Sequence, residues 1–201
     1  TVGGYGIFAS LLFGLPVPVA MASGVAFSVM VAAGLSPSED FPMAIAGKSF
    51  TFGSESSTSG RLMPEFFIRE NTGKSPAEFL GANPGFSGSH DKTVELVESG
   101  EYLVGAVNYK VYNKRVKSGK TDPAVCSIIW TTPGYADYNF TAHPAVNTMF
   151  GDGFMDKLQQ ALIDMKDPEL LSAFPRKSLI KAKNEDFQGI VDVAKDLGFL
   201  E

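Results

Sequence analysis

Residues 49–67 read SFTFGSESSTSGRLMPEFF. Ser49 to Gly53 alternates and is rich in aromatics, the pattern of a short strand. From Leu62 the apolar residues Leu62, Met63, Phe66 and Phe67 recur at helical spacing, which predicts a helix from Ser59 to about Asn71. Between the two lie Ser54, Ser56, Ser57, Thr58 and Ser59, all hydroxyls. A strand, a small polar loop and a helix N-terminus together make a ready anion site, because free N–H groups and the positive dipole end face the loop. Simple capping of the helix is the plainer reading of Ser57, Thr58 and Ser59, and on this stretch alone both readings stand.

Working outward, the chain alternates strands with helices. Ser75-Pro76-Ala77-Glu78 opens a helix, with proline at its first position. SHDKTVELVESG predicts a helix from His90 to Gly100 capped by Ser89, and YLVGAV a buried strand. YKVYNKRVKSG follows as a short amphipathic helix, VCSIIWTT as another buried strand and PGYADY as a turn. FMDKLQQALIDM, DPELLSAF and EDFQGIVDVAKDLGFL are helical by period. The alternation predicts an α/β fold around a largely parallel sheet.

The 201 residues are 44% hydrophobic and 19% charged, enough for one substantial core or two small lobes. A net charge of −5 without a basic stripe excludes a nucleic-acid partner, and an anion site here must rest on local dipoles and hydrogen bonds. The single cysteine, Cys126, sits in an apolar run and reads as a core thiol. No charged residue precedes Glu39, which sets residues 1–36 apart as an uncharged apolar segment. Its length suits a membrane span, while Pro16, Pro18 and the absence of flanking Lys or Arg argue against one. A damaged segment, a signal-peptide remnant and a membrane anchor all remain open for it.

Several motifs are set aside. AGKS at 46–49 is no P-loop, because Pro42 stands where the pattern needs glycine and a strand follows. NFT at 139–141 is only a weak glycosylation sequon. His90 and His143 lack metal-ligand spacing, so neither metal nor cofactor is expected, and no nucleophile elbow is present. Two further constellations join the hydroxyl loop. His90 opens a helix after GFSGS, where the positive dipole end disfavours a protonated ring and suits a neutral donor or an anion-held cation. In TTPGYADYNF, Tyr135, Asp137 and Tyr138 leave the carboxyl end of a strand, where open α/β sheets bind ligands. A surface histidine and an ordinary turn are the plain alternatives.

In this order, GKSFTFGSESSTSGRLMPEFF, GFSGSHDKTVELVESGEYLVGAVNY and IIWTTPGYADYNF resemble the phosphonate/phosphite-type substrate-binding proteins of ABC transporters, most of all the subgroup labelled selenate-binding. The resemblance runs from about residue 35 to the end. It implies a periplasmic-binding-protein-like fold of type II, periplasmic or lipid-anchored outside the cytoplasmic membrane, that delivers a tetrahedral oxyanion to a permease. Residues 37–137 would then be one complete oxyanion-binding lobe. Residues 138–201 would be a crossover and helices returning to a first lobe largely absent from the chain. The family's serine loop falls on Ser57, Thr58 and Ser59, its helix-start histidine on His90 and its acidic position on Asp137. Asn108 and Tyr109 match a strand end facing the cleft, and Arg61, Lys92 and Glu95 are expected to be solvated helix residues.

The chemistry favours a binder over a catalyst. A tetrahedral oxyanion wants several fixed N–H and O–H donors, and no titratable pair is arranged for acid–base work. Asp137 would welcome a ligand bearing a P–OH and clash with sulfate or selenate, which favours phosphorus oxyanions. A membrane-anchored sensor and a small-molecule enzyme on the same scaffold are the competing readings.

Overall fold

The computed structural model describes residues 17–23, 26–136, 138–143, 145–172 and 177–200. In chain order these form β1 (Val17–Ala22), β2 (Ser28–Ala32), β3 (Phe50–Phe52), α1 (Met63–Thr72), α2 (Pro76–Leu80), β4 (Gly85–Phe86), α3 (His90–Glu98), β5 (Val104–Asn108), α4 (Tyr109–Lys117), β6 (Ser127–Thr131), β7 (Asn139–Ala142), α5 (Val146–Phe150), α6 (Phe154–Asp164), α7 (Pro168–Ser172), β8 (Leu179–Lys181) and α8 (Gln188–Asp196). A π-type turn, Thr58–Leu62, runs straight into α1. The chain divides into two compact units. Residues 26–134 make one; the described residues before 26 join those from 135 onward in the other.

The first unit holds a five-stranded sheet in the order β4-β3-β5-β2-β6. Its β3 lies parallel to β4 and to β5, whereas β2 runs antiparallel to both β5 and β6. The sheet is therefore mixed rather than largely parallel. The antiparallel member is β2, which comes from the uncharged stretch that composition set apart as residues 1–36. Residues 26–36 belong to this unit.

The apolar composition of β2 has a physical cause. All five residues of β2 are buried. Val29 and Val31 pack with Val94 and Val97 of α3, Val107, Tyr112 and Cys126, while the alternate residues face the other side of the sheet. A strand covered on both faces has no polar alternation to show. Among the described residues no helix is long and apolar enough to cross a membrane.

Local signals explain the helix starts. Ser75 accepts from the Glu78 N–H while the Glu78 carboxylate accepts from the Ser75 N–H, a complete capping box before Pro76. Ser89 accepts from the Lys92 N–H and starts α3. Gly73 and Gly81 adopt positive φ immediately after α1 and α2, as left-handed helix ends require. On another part of the core, Phe41 and Phe67 meet Trp130 edge-on at 5.4 and 5.6 Å between ring centres.

The second unit is built on a three-stranded antiparallel sheet, β7-β1-β8. Ala20 and Ala22 of β1 pack with Leu171 and Leu179, flanked by Phe140, Leu162 and Met165. The amide of Gln159 in α6 donates to the Val19 carbonyl at 2.7 Å. Ile190, Val193 and Ala194 form the buried face of α8.

Candidate functional site

Parallel pairing puts the carboxyl ends of β3, β4 and β5 on one edge of the first unit's sheet. From that edge leave the hydroxyl loop after Phe52, the Ser87–Ser89 turn after Phe86, and α4 after Asn108. The first two segments are laced together: Ser87 N–H donates to the Phe52 carbonyl at 3.0 Å and Gly88 N–H to the Gly53 carbonyl at 3.2 Å. The hydroxyl loop closes on itself where Gly53 N–H meets the Gly60 carbonyl at 2.8 Å.

Space is tight at that closure. A Cβ on Gly60 would lie 3.0 Å from Ser57 Oγ, 3.1 Å from Gly53 Cα and 3.1 Å from His90 Cε1. Within the turn, Ser57 Oγ accepts from the Gly60 N–H at 2.9 Å, and the Ser57 carbonyl accepts from Arg61 and Leu62. Thr58 and Ser59 occupy its first positions, whose N–H groups no carbonyl of the same helix can reach. Ser59 is buried, with 7% of its surface exposed.

His90, the first residue of α3, lies against this turn. Its Nε2 stands 3.3 Å from Ser59 Oγ, and its Nδ1 accepts from the Asn108 N–H at 3.3 Å. Burial pushes its pKa down to about 4, partly opposed by Asp91, so the ring is neutral at physiological pH. Asn108 Nδ2 donates to Ser59 Oγ at 3.4 Å, and Asn108 Oδ1 caps α4 by accepting from the Lys110 N–H at 2.9 Å. Ser57, Ser59, His90 and Asn108 are thus gathered from three chain segments, with Thr58 between the two serines. Every donor in this group is neutral, which suits an anion site in an acidic chain.

The Tyr109 ring packs edge-on against Phe27, 5.3 Å between centres, and joins the cluster around Val94 and Val107. Tyr135 and Tyr138 fall in the second unit, where the Tyr138 carbonyl accepts from the Ala22 N–H at 2.8 Å. Asp137 lies outside the described residues. Lys92 and Glu95 are half exposed, as a solvated face predicts. Arg61 is not. Its guanidinium stacks 5.0 Å from the Phe52 ring centre and 4.9 Å from that of Phe86, and pairs with the buried Glu65. Those rings come from two strands, so helical spacing alone could not reveal them. Buried Ser28 and Thr132 also escaped the sequence reading. They exchange hydrogen bonds at 2.9 and 3.0 Å, and Ser28 pairs with Asn108 across the sheet.

The likeness to known proteins identifies the family. A family-wide sequence profile for the phosphonate periplasmic substrate-binding proteins of ABC transporters matches residues 14–187, and the chain belongs to that family. It is 37% identical over 153 residues to a probable ABC transporter phosphite binding protein, PhnD1, of Prochlorococcus marinus (strain MIT 9301). That match covers 74% of this chain and 51% of the relative, so the chain spans about half the length of the curated relative.

Among solved structures it resembles PhnD1 of the same organism in complex with methylphosphonate, with a TM-score of 0.84 and 31% identity. That likeness covers 98% of this chain and 76% of the other. A binding-protein component of an ABC phosphonate transporter from Pseudomonas aeruginosa has a TM-score of 0.67 at 14% identity, over 89% of this chain and 60% of the other, and shares the fold. The architecture is that of the type II periplasmic binding proteins. The family and the PhnD1 relative are substrate-binding proteins, not enzymes.

Proposed function

We propose that the protein is the solute-binding component of an ABC importer and captures a tetrahedral phosphorus oxyanion of the phosphonate or phosphite class. The observation that carries this reading is the convergence of the Ser57–Gly60 turn, His90 and Asn108 at the carboxyl ends of three parallel strands. The turn supplies hydroxyl and first-turn N–H donors, and neutral His90 stands against Ser59 without demanding a counter-charge. Donors of this kind hold an anion through fixed dipoles rather than through net charge.

Ser57, Thr58 and Ser59 are the proposed ligand contacts, and His90 is a ligand-site residue set against Ser59. Asp137, Tyr135, Tyr138, Asn108 and Tyr109 are carried as further ligand-site proposals by the family resemblance. Asp137 would favour an oxyanion retaining one P–OH over sulfate or selenate. A membrane permease is the proposed partner and the periplasm, with or without a lipid anchor, the proposed location. Support comes from the family match, and from the methylphosphonate complex of a relative similar over nearly the whole chain.

Calorimetric titration with methylphosphonate, phosphite, phosphate, sulfate and selenate tests the reading. Saturable heat is expected with a phosphorus oxyanion and none with sulfate. Preference for sulfate or selenate, or silence from every anion in the folded chain, would refute it.

A further inference from the structure

Two backbone N–H groups fix the polarity of the whole Ser59–His90–Asn108 network, because a backbone N–H can only donate. Lys110 N–H points at one amide atom of Asn108, which must therefore be the oxygen, leaving the NH2 to face Ser59. Asn108 N–H points at Nδ1 of His90, which must therefore carry the lone pair. A neutral imidazole with Nδ1 as acceptor bears its proton on Nε2, the atom 3.3 Å from Ser59 Oγ. Ser59 Oγ thus receives two donors, one from His90 and one from Asn108. A hydroxyl oxygen has two lone pairs and one hydrogen. With both lone pairs taken, the hydrogen has to be donated away from its two partners.

We propose that His90 and Asn108 are positioning residues that commit the Ser59 hydroxyl to donate, so that the ligand atom it meets is an unprotonated oxygen. This rests on the reading of the loop as an oxyanion site and adds a specificity rule to it. Ser59 rejects a ligand hydroxyl at its own position, because it has no lone pair left to accept with. The two bonds into Ser59, 3.3 and 3.4 Å long, have room to shorten when the hydroxyl donates to an anion, since a hydroxyl that donates becomes a better acceptor.

Two measurements test it. Long-range 15N–1H NMR of the wild-type chain reads the His90 tautomer with no ligand present, and a single Nε2–H form is expected. A Nδ1–H form, or a mixture, overturns the proposal. The second is a double-mutant cycle on methylphosphonate affinity, using Asn108→Ser and Ser59→Ala. Serine caps a helix as well as asparagine does, so α4 keeps its start, but it is too short to reach Ser59. Asn108→Ser is expected to weaken binding about 10-fold in the wild-type background and less than twofold with Ser59→Ala present. Equal losses in both backgrounds would overturn the positioning role. A wild-type chain that binds no phosphorus oxyanion would sink the functional reading instead, and the tautomer would still decide the hydrogen-bond polarity.

Discussion

His90 and Asp91 are neighbours in the first turn of α3, yet they enter two polar clusters of opposite character. His90 joins Ser59 and Asn108, all neutral and inward-facing. Asp91 joins Arg115, which bonds Asp91 at 2.8 Å, Glu98 at 3.4 Å and Thr121 at 3.0 Å, with Glu95 at 3.6 Å. The Arg115 cluster is closed: one buried guanidinium spends its donors on the partners that surround it, and α3 is tied to α4. The Ser59 cluster is open, since its internal bonds leave a hydroxyl hydrogen and the neighbouring first-turn N–H groups directed at something else. A group that balances itself holds a fold together. The proposed ligand site is the one with donors to spare.

The contrast breaks most readily at the glycine closure. Gly60→Ala forces a Cβ against Ser57, Gly53 and His90 at once. Overpacking of that kind costs about 1–3 kcal/mol, and methylphosphonate affinity is expected to fall at least about 10-fold, by chemical denaturation and calorimetry respectively. Arg115→Ala should reverse the pattern. Hydrogen bonds to charged groups are worth about 1.5–3 kcal/mol, so stability drops while affinity stays within about twofold. A large affinity loss there would mean that the two clusters are not separate.

Ser57→Ala removes the cap from the Gly60 N–H and is expected to cost about 1 kcal/mol, seen as a lowered denaturation midpoint. The contrast can also be read in the pH response. His90 titrates near 6.5 unfolded and at about 4 folded, so the unfolded chain takes up the proton first as pH falls. Stability is therefore lost between roughly pH 6.5 and 4, and His90→Gln should flatten that segment of the stability–pH curve. An unchanged slope would place the titrating group elsewhere.

What could be read in advance was local. The Ser75 capping box, Ser89 before α3 and the strand–loop–helix at residues 49–67 are signals carried by a few neighbouring residues, and all of them stand in the structure. The strand β2 was not legible, because burial on both faces erases alternation and leaves a run resembling a membrane segment. The polarity of the five-stranded sheet was lost with it, since both of its antiparallel pairings involve β2. Arg61 read as solvated because its covering rings, Phe52 and Phe86, arrive from other strands. The role proposed for Asn108 depends on which atoms the N–H groups of residues 108 and 110 meet, a matter of tertiary geometry that no spacing encodes.

A crystal structure of the wild-type chain grown with methylphosphonate tests the central claim most directly. The account predicts a phosphonate oxygen about 2.6–2.8 Å from Ser59 Oγ, with Thr58, Ser57 and His90 around the same group. A phosphonate seated away from the Ser57–Gly60 turn, or a Ser59 hydroxyl in contact with protein acceptors alone, would contradict it.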